Sequence, residues 1–409
     1  MKLKTVAVCV GAALTTPVLA QQSTTNVTIY GQLDQAIEYI NKAGAKYGTT
    51  DTTIKDRFRL SPGMVTSMWG IRGTENLGGG LKAIFNLEGG FSPEDGTQSQ
   101  GGRLFGRQAY VGLDDPKWGR FTLGRQYSMR YYAVAALNPF GTGTHGLATL
   151  DDRTGDARTD NLIAYRNRFG NFELGVDYSA GRSGATGGTS SVAANCGNEV
   201  AHATTNCRAW GVLVKYDTEN WGISSGYERN YGGANAYNLT ETDMRESRAI
   251  LGGYLKYKGG TFGLGWLRRH NEGVFSGLGS ATSSKAVANG GLPATAGRGN
   301  LMFDPESDLV WLSWSMPVAD KLSFDGVLGQ LKYRGSYEGT FGSSTEKAQM
   351  IVLRGVYSLS RRTALYVSAE HMDNKGKYGN YSASNAVTKP ATDGGGAQLS
   401  VLTGIRHRF

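Results

Sequence analysis

The residues best placed to do chemistry without making bonds are gathered in one stretch, Tyr127 to Tyr165. It opens with Tyr131 and Tyr132 and the apolar turn Ala133 to Leu137, then breaks at Asn138-Pro139-Phe140-Gly141. It ends in mixed charge, with Asp151, Asp152 and Asp156 followed by Arg158. Opposed carboxylates and guanidiniums of this kind orient water and sort ions. Connections of this length are uncommon in compact proteins and are usually functional or disordered. An apolar anchor, a breaker and a charged rim together describe an ordered loop. It is expected to fold into the lumen of a membrane β-barrel and narrow it.

Other candidate chemistries lack partners. His407 has no Gly-x-Ser-x-Gly elbow to serve, so an outer-membrane lipid hydrolase has no visible nucleophile and no enzyme is expected. Gly78-Gly79-Gly80 could cradle phosphate, but no Lys-Ser/Thr and helix follow, so it is read as a hairpin turn. Cys196 and Cys207 lie in a Gly/Ser/Ala/Asn-rich loop of an exported chain; a disulfide is the expected state, with two free thiols the alternative. Only His202 stands near them, too few ligands for a metal site, and no cofactor is implied.

Export is read from the amino terminus. Lys2 and Lys4, the apolar run Val6 to Leu14, and Pro17-Val18-Leu19-Ala20 form a secretory signal peptide over residues 1–20, leaving 21–409 as one barrel domain. No later window approaches the roughly 18 apolar residues that a membrane helix needs. Sixty Gly and 10% aromatic residues against only 9 Pro suit twisted strands joined by tight turns. The formal charge of +9 comes from Lys and Arg spread along the chain, without the clustered patch that nucleic acid requires.

From Asn26 onward, segments of about ten residues alternate apolar with polar or small side chains, the mark of a strand between two solvents. In Asn26 to Asn41, Val27, Ile29, Leu33 and Ile37 oppose Tyr30, Gln32, Asp34 and Glu38, and a long loop is expected from there to about Pro62. Val65 to Asn76 and Leu81 to Phe91 form a hairpin around the glycine run. The fourth segment, Arg103 to Leu113, has blurred alternation, with Arg107 sharing a face with Ala109, Val111 and Leu113, as expected where a wall meets protein instead of lipid. Arg120 to Gln126 is the fifth segment, and eleven more follow the insertion, making sixteen. Short and long connections alternate, and every proline after Pro17 falls in a loop, turn or strand margin. The expected fold is therefore all-β, a 16-stranded antiparallel transmembrane barrel with an inward-folded third extracellular loop. The last segment ends on Phe409 behind an apolar stripe, which closure against the first strand explains.

The motifs that run through this pattern resemble those of the Gram-negative trimeric porins. They are Ile29-Tyr30-Gly31, Trp69-Gly70 to Glu75, Gly80 to Phe85, Arg107 to Leu113, Gly124 to Tyr127, Asn138 to Gly141 and Arg406 to Phe409. The resemblance implies a homotrimer of water-filled barrels in bacterial outer-membrane lipid, with Phe409 the assembly signal for the barrel-assembly machinery. It also implies a constriction in which Arg107 and Arg158 match ladder positions. Arg72, Lys82 and Glu88 match lumen-facing neighbours, and Asp151, Asp152 and Asp156 would be the loop-side acids. The chain departs from the family at Met68, where Arg is frequent, and at the neutral Gln32, which puts strong anion selectivity in doubt.

The function expected from all of this is passive diffusion of small hydrophilic solutes and ions, set by pore width and charged rings. A secreted β-sandwich adhesin would use similar strands, but has no need of a charged insertion or an aromatic terminus.

Overall fold

The strands show an inverted burial pattern. In the segment around Thr363 to Lys375, Leu365 and Val367 are 42% and 56% exposed, while Ser368 and Glu370, on the opposite face, are 1% and 0% exposed. Water on the outside would select the opposite arrangement. Hydrocarbon outside and a polar interior produce this one.

The structure is a computed structural model. It describes residues 25–43, 55–141, 143–151, 158–181, 208–231, 245–271, 302–337, 343–375, 381–384 and 396–409. The expected signal peptide, Asp152, Asp156, Cys196 and Cys207 lie outside the described residues. The strands are β1 (Asn26–Ala43), β2 (Lys55–Pro62), β3 (Met68–Gly78), β4 (Leu81–Gly90), β5 (Gln108–Asp115), β6 (Gly119–Tyr127), β7 (Arg158–Phe169), β8 (Phe172–Ser179) and β9 (Ala209–Asp217). They continue as β10 (Trp221–Tyr231), β11 (Arg245–Tyr257), β12 (Gly260–Asn271), β13 (Met302–Ala319), β14 (Leu322–Tyr337), β15 (Ser343–Ser358), β16 (Thr363–Lys375) and β17 (Ala397–Arg408). Helix α1 (Met129–Leu137) lies between β6 and β7.

Each strand is antiparallel to its neighbours, and β17 pairs with β1, so the sheet closes. β3 pairs with the first part of β1 and β2 with the later part. These two strands therefore share one stave, and seventeen strands make a 16-stranded barrel. The expected loop between β1 and Pro62 in fact contains β2, whose Phe58 and Leu60 face outward at 77% and 59% exposure. The join at 63–67 is a wide bulge. Asp34 fills it, accepting the Val65 N–H at 3.1 Å, while its own N–H donates to Ser67 Oγ at 2.9 Å.

The short turns, such as Gly79-Gly80, all lie at one end and the long connections at the other, as in outer-membrane barrels. Pro305 and Pro317 fall inside β13, where register shifts between Phe303 and Glu306 and between Pro317 and Ala319 accommodate the missing donors. At closure, the Gly31 N–H donates to Phe409 O and the Phe409 N–H to Gly31 O, both at 3.1 Å.

Candidate functional site

Helix α1 forms because Met129, Ala133, Val134 and Leu137 make an apolar stripe on helical spacing, ended by Asn138-Pro139. Its first N–H groups face a carboxylate from the wall: Met129 N–H donates to Asp177 Oδ2 of β8. Ser128, at the N-cap position, turns its hydroxyl to Glu228 Oε2 of β10 at 2.8 Å. Arg130 is fully buried and lies 3.3 Å from Glu228. At the other end the Leu137 carbonyl accepts from Trp311 Nε1 at 3.1 Å and Ser313 Oγ at 3.0 Å, both on β13. The wall beneath is thinned so the helix can approach. A Cβ on Gly263 of β12 would sit 2.2 Å from the Leu137 carbonyl oxygen. Burying Met129 and Leu137 in this seat contributes roughly 2 kcal/mol each.

Past the helix the chain keeps touching wall. Arg354 of β15 donates to the Phe140 carbonyl at 2.9 Å, stacks over its ring at 3.9 Å, and pairs with Asp325 of β14 at 2.8 Å. The Thr144 N–H reaches the Gly63 carbonyl in the bulge at 3.2 Å, and Thr144 Oγ1 donates to the Pro62 carbonyl. His145, 2% exposed, is hydrogen-bonded through Nδ1 to Ser368 and through Nε2 to Ser400, both at 2.9 Å. Glu370 of β16 accepts the Gly146 N–H at 2.9 Å and the Thr149 hydroxyl at 2.7 Å. Asp151 pairs with Arg248 of β11 at 2.8 Å, and Glu246 holds both Arg248 and Arg269. A segment that meets β8, β13, β15, the β2–β3 bulge, β17 and then β11 can do so only by crossing the enclosed space. Burial holds the His145 imidazole neutral, pushed down from 6.5 to about 4. On α1, burial raises the Tyr131 and Tyr132 hydroxyls above their ordinary value, so both stay protonated donors.

The sequence-derived site residues separate into three places. Arg107, Arg158 and Glu88 come together with Arg72 near. Arg107 Nε lies 2.6 Å from Glu88 Oε1, and Tyr30 donates to Glu88 Oε2 at 2.8 Å. The Tyr127 hydroxyl accepts from Arg107 Nη2 at 3.2 Å and from Arg158 Nη2 at 3.0 Å. Arg158 also lies over the Tyr127 ring at 4.9 Å, and Arg72 over Tyr30 at 5.0 Å. Met68, at the start of β3, pairs in register with Gln32 and Gly90.

Lys82 is elsewhere. It sits at the short-turn end of β4, six residues from Glu88, or about 20 Å along a strand. Asp151 is in a third place, 4% exposed and taken up by Arg248. The part of α1 that remains accessible carries Tyr131, Tyr132, Ala135 and Ala136, not carboxylates.

The fourth segment needs correcting in one respect: β5 begins at Gln108, so Arg107 does not share the outward face of Val111 and Leu113. Arg125 Nε holds the Gly106 carbonyl at 2.6 Å and the Arg107 N–H bonds to Glu88 O at 3.0 Å. The resulting bend turns the guanidinium inward. Sequence reasoning missed Tyr127, stacked on Tyr131 with ring centroids 3.8 Å apart, and Tyr30. It also missed His145 on the insertion and the wall groups Asp177, Arg248 and Glu370, whose alternation marked them as inward but not as partners of the insertion.

Comparison with known proteins places this geometry among relatives. A Gram-negative porin family model matches residues 5–377. An outer membrane porin protein of Bordetella pertussis is 30% identical over 404 residues, covering 95% of this chain and 96% of that one. Outer membrane porin protein 32 of Delftia acidovorans is 28% identical over 400 residues, with the same coverage. Among solved structures, an anion-selective porin from Comamonas acidovorans superposes with a TM-score of 0.67 at 23% identity, over 94% of this chain and all of that one.

Proposed function

The chain belongs to the Gram-negative porin family, the β-barrel channels of the bacterial outer membrane, and we propose that its throat runs between helix α1 and the wall bearing Arg72, Arg107 and Arg158. Small hydrophilic solutes and ions diffuse passively through it. The observation that carries this reading is the course of residues 128–151 across the interior, which leaves the lumen narrowed on the side of β3 to β7. Arg72, Arg107 and Arg158 stand there, with Glu88 paired to Arg107. The wall on this side is basic, so it draws anions into the throat, the property that the printed name of the Comamonas acidovorans porin states of that protein. Met68 and Gln32 make the preference modest. Asp152 and Asp156 supply the loop-side charge in this reading, with Asp151 bound to the wall.

The proposal extends to a homotrimer in outer-membrane lipid, to removal of residues 1–20 on export, to a bridge between Cys196 and Cys207, and to recognition of Phe409 by the barrel-assembly machinery. Planar-bilayer recording tests the throat. Under a salt gradient, Arg107→Ala shifts the reversal potential toward cations, because it removes a positive charge and leaves Glu88 unpaired. Met68→Arg shifts it toward anions. If neither variant moves the potential, these positions are not in the throat, and if purified protein gives no stepwise conductance, the channel reading itself fails.

A further inference from the structure

At the short-turn end, away from the throat, three segments enclose a cavity of about 410 Å³. Its charged lining consists of Lys321, Arg361, Arg362, Arg406 and Arg408 against a single acid, Asp320. Backbone bonds hold these segments together. The Arg408 N–H donates to the Arg362 carbonyl at 2.8 Å and the Ser358 N–H to the Lys321 carbonyl at 2.7 Å, tying the end of β17 to the β15–β16 turn and that turn to the β13–β14 turn. The hydroxyl of Ser360 accepts the N–H groups of Arg362 and Thr363 at 3.1 and 3.0 Å and fixes the turn that presents the two arginines. None of the five cations makes an ion pair among the described residues. By contrast, the interior cations Arg107, Arg248, Arg269 and Arg354 are each met by a carboxylate. A fivefold cluster on segments held together by backbone bonds, with Asp320 in its lining and Asp34 acting on Arg406 from behind, keeps an excess of positive charge that an anion would relieve.

We infer that this cavity is a binding site for a phosphate group, at the periplasmic mouth of the barrel. Four of its five cations are arginines, whose planar forks match two oxygens of a phosphate at once, and chloride cannot use that geometry. The volume admits a phosphate or a small phosphoester with its water. A free solute leaving the channel and a phospholipid headgroup of the inner leaflet share this chemistry, so both sources are tested. The inference does not depend on the throat, since binding is measured without conduction.

The probe is inorganic phosphate, titrated by calorimetry into the full-length mature protein in a neutral detergent at low salt. Saturable binding at one phosphate per chain is expected. Arg361→Gln with Arg362→Gln, in an exposed turn, weakens it by about tenfold or more, since each charge-assisted contact is worth roughly a factor of ten. Arg406→Gln with Arg408→Gln does the same, and heat-modifiable gel migration confirms that the barrels are folded. In vesicles of phosphatidylcholine the phosphate affinity persists. If added phosphatidylglycerol abolishes it, the headgroup is the occupant and the site stands. Absence of saturable binding in neutral detergent, or wild-type affinity in both double variants, overturns the inference.

Discussion

Acidification tests whether the insertion is latched as described. His145 is enclosed between Ser368 of β16 and Ser400 of β17, with Glu38 of β1 reaching Ser400 at 2.8 Å, and with Glu370 of β16 and Arg354 of β15 nearby. Its docked pKa is about 4 against 6.5 when free, so the undocked loop takes up a proton that the docked loop refuses. The contribution of His145 to docking is therefore present in full well above 6.5 and is lost as the pH falls toward 4. At pH 5 the linkage relation gives a loss of about 2 kcal/mol, or about 30-fold in the docking constant, rising to about 3 kcal/mol well below pH 4. The barrel strands do not depend on this group. The assay is proteolytic nicking within 138–151 on detergent-solubilised protein at pH 7 and pH 5, with heat-modifiable migration as the control for an intact barrel. His145→Gln keeps a neutral hydrogen-bonding side chain and removes the titration. Between pH 7 and pH 5 the wild type is expected to gain sensitivity relative to the variant, since the wall carboxyls that also hold the insertion are the same in both. An equal response in both proteins would refute the latch.

Two further perturbations act on the helix seat. Gly263→Val puts a branched side chain against the Leu137 carbonyl, a clash worth about 1–3 kcal/mol, and should lift α1 and raise single-channel conductance without loss of the folded barrel. Asp177→Ala leaves the Met129 N–H without its acceptor at the positive end of the helix and should cost about 1–2 kcal/mol of docking, read as faster cleavage within 128–137, with Asp177→Asn intermediate.

The barrel was legible because its signal is local. Alternation in β16 or β17 separates Leu365 and Val367 from Ser368 and Glu370 without knowledge of any neighbour. β2 escaped notice because Arg57-Phe58-Arg59-Leu60 offers only two apolar positions, and because the bulge at 63–67 breaks the stave that it completes. Prolines misled at the other end, where two bulges let β13 run through Pro305 and Pro317. The site was legible as a set of residue types more than as an arrangement. Parity put Arg107 on the wrong face, since Arg125, which fixes the bend by holding the Gly106 carbonyl, lies 19 residues away in sequence. Asp151 looked like a free loop acid because its partner, Arg248, is 97 residues on. Contacts of that span leave no trace in a local pattern.

The bulge in the second stave also constrains how the chain can vary. Five residues, Gly63 to Ser67, stand opposite only Leu33 and Asp34, and the backbone groups freed there are met by Asp34, Gln32, Tyr366 and the tip of the insertion at Thr144. Gly143 approaches so closely that a Cβ on it would sit 2.0 Å from the Met64 carbonyl oxygen. The tip is thus a keystone for a gap in the masonry. A shorter insertion would leave the gap open, and a longer one would overshoot it, so this excursion has a fixed reach that the outer connections free of such a seat do not share.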